Sequence, residues 1–177
     1  MNIIRRRNQN KAFTLVELLV VILIIAVLAG LLFGAIGGAI RAAKRLRAQK
    51  TVTELAAALR HYYTEYGHWP TGANGSAQQV DANMVLMLTG DVSAAANNPK
   101  RIVFMEIGGK DVVSGVLTTP WYNSPGVANA NRYYYYCVDV NADNSLTFNP
   151  GTGNLTLKTI VATWTTEPSP NRLVASW

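Results

Sequence analysis

Hydrophobic and polar positions divide the chain into three stretches. Leu18 to Ile40 is a run of 23 residues with no charged side chain. A helix of that length crosses a hydrocarbon core, and the run exceeds the apolar region of a cleaved secretory signal. Arg41 to Tyr66 follows without Pro or Gly. Within it Val52, Leu55, Leu59, Tyr62 and Tyr66 recur at helical spacing, with Glu54, Arg60, His61 and Glu65 off the stripe. The two stretches predict one helix over Phe13–Tyr66, roughly 80 Å long at 1.5 Å per residue. Gly67-His68-Trp69-Pro70 is its stop signal.

Beyond Pro70 the pattern shortens. "TGANGSAQQ" reads as polar loop, and Asp81 as the N-cap of a short helix through about Leu88. "TGDVSAAANNPK" is loop again, and Arg101–Ile107 reads as a strand ended by Gly108-Gly109. After a Pro-rich turn region, Tyr133–Val140 alternates as a strand, with Tyr133, Tyr135 and Cys137 on one face and Tyr134, Tyr136 and Val138 on the other. Leu146–Phe148 and Leu155–Trp164 are further strands. The class is α+β: a long N-terminal helix whose apolar stripe packs on a small C-terminal antiparallel sheet.

Charge refines this picture. Arg5, Arg6, Arg7 and Lys11 precede the apolar run, and Arg41, Lys44, Arg45, Arg47 and Lys50 follow it. From Gly67 onward six basic residues meet seven acidic ones. Basic clusters at both ends of an apolar run mark membrane edges rather than a nucleic-acid face. Because both ends are basic, the positive-inside rule leaves the orientation open. A single cysteine, Cys137, excludes an intramolecular disulfide framework.

Two features of the apolar run raise questions. Gly30, Gly34 and Gly38 form overlapping G-x-x-x-G patterns, which allow close helix approach in lipid but are also common background there. Glu17 lies at the entry to the run, where an ionised acid costs roughly 2.5–3.5 kcal/mol at bilayer depth. Either it sits at headgroup level and suits the positive helix N-terminus, or it awaits a cationic partner.

The stretch Lys11-Ala12-Phe13-Thr14-Leu15-Val16-Glu17-Leu18-Leu19-Val20-Val21 resembles the class III signal of type IV pilins and type II secretion pseudopilins. The resemblance implies cleavage between Ala12 and Phe13 by a membrane prepilin peptidase, with N-methylation of the Phe13 amine. It implies that Glu17 registers subunits in a filament against the terminal amine of a neighbour. It also implies an inner-membrane protein with its leader in the cytoplasm and its head in the periplasm. Ala12 departs from the glycine usual at that position. The order of elements resembles the pilin fold, with residues 1–12 as leader, 13–40 as membrane and filament-core helix, 41–66 as stem and 67–177 as head. In the head, "YGHWP", "LTG", "NPK", "FME" and "PWYNSPG" look like the major pseudopilin of type II secretion, with Tyr122 where that family has a glycine.

Candidate chemistry is sparse. Asp139, Asn141, Asp143 and Ser145 alternate as oxygen ligands do at the start of a calcium loop. The twelfth position is Pro150, so the bidentate Glu is missing, and an Asx-rich hairpin turn explains the same residues. The family likeness raises the case for calcium. His61 and His68 have no nucleophile or ligand spacing near them, and Cys137 reads as buried filling.

The resemblance therefore implies a non-enzymatic structural subunit of a type II secretion pseudopilus. Its partners would be copies of itself, other pilin-like subunits, the prepilin peptidase, an inner-membrane assembly platform and the membrane. A type IV pilus subunit for adhesion, DNA uptake or motility is the nearest alternative, and only DNA uptake would bring in nucleic acid. An alternative of another class is a single-pass membrane-anchored binding module.

Overall fold

The computed structural model describes residues 13–168 and 171–177, with 34 and 35 as backbone only. The leader, including Ala12, lies outside the described residues. Contacts divide the chain into two units, one ending at Arg41 and one spanning Ala42–Trp177.

Helix α1 runs Leu15–Tyr66, two residues later at its start than the sequence pattern predicts. In the first unit none of its side chains from Leu15 to Phe33 is buried, and the span is long and apolar enough to cross a membrane. Helix α1 ends at Gly67, whose φ of +72° is the left-handed conformation that glycine adopts without strain. The Gly67 N–H donates to Tyr63 O at 2.8 Å, which satisfies one of the last carbonyls.

In the second unit, strand β1 is Gln78–Gln79, and helix α2 is Ala82–Leu88. Asp81 caps α2 by accepting from Met84 N at 2.9 Å. At its other end Gly90 donates to Met87 O and Asp91 to Leu86 O, the paired bonds of a Schellman turn. Gly90 has φ +72°, and a Cβ there would stand 2.8 Å from Arg101 O. Strands β2 (Val112–Val113) and β3 (Val116–Leu117) form a hairpin. Strands β4 (Tyr135–Val138), β5 (Leu146–Phe148), β6 (Leu155–Leu157), β7 (Val161–Glu167) and β8 (Arg172–Ala175) complete the chain. The main sheet has the order β1-β4-β7-β8, all antiparallel, and β5-β6 is a separate hairpin. This is the α+β arrangement that the sequence predicts, a long N-terminal helix with a C-terminal antiparallel sheet, and it is consistent with a pilin fold.

The sheet is apolar on both faces. Tyr134, Tyr136, Val138, Val161 and Val174 join the stem residues Val52, Leu55, Leu59 and Tyr62 in the larger core. Thr163 Oγ1 bonds the Val52 carbonyl at 2.7 Å inside it. On the other face Cys137, Ala162 and Trp164 pack with Leu146 and Phe148 of the β5-β6 hairpin. The alternation of residues 134–138 thus feeds two cores, as a period of two requires, while Tyr133 belongs to neither.

One expected strand is absent. Arg101–Ile107 has strand-like composition but no strand partner. The buried Asn98 takes the place of a neighbouring strand, accepting from Ile102 N at 3.0 Å and donating to Ile102 O at 2.7 Å. The expected strand over Leu155–Trp164 is two strands, β6 and β7, in different sheets.

Candidate functional site

Thr14 precedes the first residue of α1 and is its N-cap in sequence terms. Its side-chain oxygen accepts from Glu17 N at 3.2 Å. Glu17 reaches back: its Oε2 accepts from Thr14 N at 2.9 Å and from Thr14 Oγ1 at 2.8 Å. This reciprocal pair is a capping box, which satisfies backbone donors that a helix start leaves without intrahelical partners. A carboxylate at this position also meets the positive end of the helix dipole. Beside the box, Phe13 is 79 % exposed.

Past the box the helix presents apolar side chains to its surroundings on every side. Leu15 to Phe33 carries no buried segment, and Leu31 and Phe33 are as open as Phe13. A helix that is hydrophobic all round belongs in lipid or against other helices. Gly30, Gly37 and Gly38 have nothing within 4 Å of where a Cβ would stand, so space remains along that face for a close neighbour. Together these are an exposed Phe13, a carboxylate in the first turn and an apolar helix surface that is exposed among the described residues.

Residues 7–33 match the family model for the prokaryotic N-terminal methylation motif. The chain therefore carries a type IV pilin-like, class III N-terminal signal. Such a motif implies processing by a prepilin peptidase and assembly with other pilin-like subunits. With the apolar helix, it is compatible with membrane anchoring. The motif covers the Ala12-Phe13 junction and Glu17. No curated protein and no solved structure matches the chain.

The other sequence candidates do not converge. Asp139 is buried, and both of its carboxylate oxygens accept backbone N–H groups, Oδ1 from Asn141 at 3.0 Å and Oδ2 from Asn144 at 2.7 Å. Asp143 Oδ1 accepts from Ser145 N at 2.8 Å. Ala142 and Asn144 turn the chain through positive φ. Among the described residues no three His, Cys, Asp or Glu side chains gather in one place. Asp139 and Asp143 thus brace the turn that carries Asn141 and Ser145.

Cys137 is buried, donates to Gly75 O at 3.2 Å, and burial pushes its thiol up to about 11. A thiol so protonated is a poor nucleophile. His61 is exposed and meets the Phe104 ring edge-on at 5.6 Å, while His68 Nδ1 lies 2.9 Å from Trp69 O. Each sits in the aromatic packing around the stem's end.

Proposed function

We propose that this protein is a structural subunit of a pilus-like filament, and within that class a subunit of a type II secretion pseudopilus. The observation that carries the proposal is the methylation motif seated on a helix whose apolar surface is exposed among the described residues. Such a surface needs lipid before assembly and other helices after it. Removal of the leader would free the Phe13 amine, a cation of the kind that Glu17 can pair with in a neighbouring subunit. The exchange would convert an intrachain cap into an intersubunit contact.

The pseudopilus reading is supported by the head, in which short stretches resemble a major pseudopilin and the lone Cys137 leaves no disulfide-bonded loop. The test is deletion of the gene in its host. Loss of extracellular secretion of folded proteins, with cell-surface filaments unchanged, is the expected result. Loss of surface filaments with secretion intact would replace it with a type IV pilus subunit. A chain that stays uncleaved and monomeric in the membrane would point to an anchored binding module.

A further inference from the structure

The head contains a cleft of about 350 Å³ on the face of the sheet away from the stem. Its walls come from four separate places. Tyr135 and the buried Trp164 stand opposite each other on β4 and β7, with ring centroids 6.0 Å apart and planes within 19° of parallel. Asn131 closes the short 3-10 turn Asn129–Asn131. Asn149 follows β5, and Asn171 stands in left-handed conformation in the turn before β8. Among the described residues, none that lines the cleft is charged.

Several polar groups there have no partner among the described residues. Asn131 is only 9 % exposed, yet its side-chain amide makes no hydrogen bond among the described residues. The Trp164 indole N–H makes none either. No fully enclosed side-chain nitrogen or oxygen among the described residues lacks a partner, so both groups keep access to solvent. Asn149 uses its Oδ1 to accept from Gly151 N and Gly153 N, which leaves its amide N–H groups unused. A mostly buried amide without a partner is costly unless water or a ligand bonds it.

We propose that this cleft binds a neutral saccharide unit. Amide and hydroxyl groups from Asn131, Asn149, Thr166 and Asn171 match the mixed donors and acceptors of a sugar's hydroxyls. The half-buried Tyr135 ring offers an apolar surface for the sugar's C–H face. The uncharged lining gives an anionic or cationic ligand no counter-charge. An added peptide strand would need a free sheet edge, and here β4 and β7 are interior strands with both sides paired. Recognition at this face has to use side chains, which small polyols suit.

The test uses the full chain in a detergent without a sugar headgroup, since alkyl glycosides would compete. Maltose, cellobiose, lactose and N,N′-diacetylchitobiose are titrated and followed by saturation-transfer NMR and tryptophan fluorescence. At least one should bind saturably. Asn131→Ala should weaken that binding roughly tenfold, the effect of one lost hydrogen bond. Asn171→Ala, at an exposed position, should weaken it with the melting midpoint unchanged, and it decides the matter if Asn131→Ala fails to fold. No saturable binding by any of the four, or binding that Asn171→Ala leaves unaltered, overturns the proposal.

Discussion

Thr14 and Glu17 hold each other across the first turn of α1: the carboxylate accepts from the Thr14 N–H and hydroxyl, and the Thr14 oxygen accepts from Glu17 N. The acid at the entry to the apolar run therefore has a partner within its own chain. That partner is a neutral cap, so the charge itself remains uncompensated. A cation brought by a neighbouring chain would neutralise it.

Cap and charge can be separated by substitution. Glu17→Gln keeps an oxygen that can accept from Thr14 N but removes the charge. The expected outcome is normal leader cleavage and helix content, with assembly into filaments reduced at least about tenfold, as for loss of a desolvated ion pair. Thr14→Val removes the capping hydroxyl and should weaken the helix start by about 1 kcal/mol, with assembly largely kept. Comparing crosslinked filament with the membrane pool measures both.

Asn98 is the residue on which the head's irregular half depends. Its amide donates to Met87 O and Ile102 O, and its oxygen accepts from Ile102 N and from the Tyr66 hydroxyl at 2.7 Å. It therefore joins the stem, α2 and the extended segment after Arg101. Asn98→Ala leaves buried backbone groups without partners, so a loss of about 3 kcal/mol is expected from thermal or chemical unfolding of the head. Asn98→Asp should be worse, because an acceptor would then face two carbonyls.

Alkaline pH should unfold the head through its core tyrosines. Burial pushes the Tyr134 phenol from the ordinary 10.0 up to about 12, and Tyr136 likewise to about 12. A raised folded value means that the protonated form contributes stability. That stability is fully present below pH 10 and is lost as the pH rises towards 12. Tyr134 alone accounts for roughly 2–3 kcal/mol. Tyr136 lies nearer the surface, 5 % exposed against 1 %, and adds less. Ultraviolet titration of tyrosinate should show Tyr134 and Tyr136 among the groups that ionise late, together with loss of the fold. Tyr134→Phe should move the alkaline midpoint upward.

Calcium should leave the head unchanged. Asp139 already holds its loop through Asn141 N and Asn144 N. Millimolar calcium is expected to give no binding heat and no shift in melting temperature, whereas Asp139→Ala should destabilise by about 1–3 kcal/mol with or without the ion. A calcium-dependent rise in melting temperature would reverse this account of the loop.

Much of this was legible in the sequence where a period was long enough to read. The stem stripe Val52, Leu55, Leu59 and Tyr62 is buried as its spacing predicts. The two faces of residues 134–138 supply two cores. What escaped was set by single residues or by pairing. Arg101–Ile107 has strand composition, but the Asn98 side chain takes the hydrogen bonds of Ile102, and Phe104 N and Met105 N donate to Leu88 O at the end of α2. Gln78–Gln79 pairs with Tyr136 and Tyr135, and a polar pair gives no signal of that. The β2-β3 hairpin could have been found, since Ser114 and Gly115 both take positive φ between two short apolar pairs. The Thr14-x-x-Glu17 box was equally readable, because a threonine three residues before an acid and an apolar run is its signature. The cleft was not readable, since Asn131, Asn149 and Asn171 meet Tyr135 and Trp164 only through the sheet.

The central claim is that the chain enters the prepilin pathway through its N-terminus. It is tested most directly by the intact mass and N-terminal residue of protein extracted from membranes that contain a prepilin peptidase. A chain beginning at N-methylated Phe13 is the predicted result. A chain that still carries Met1–Ala12 would contradict it.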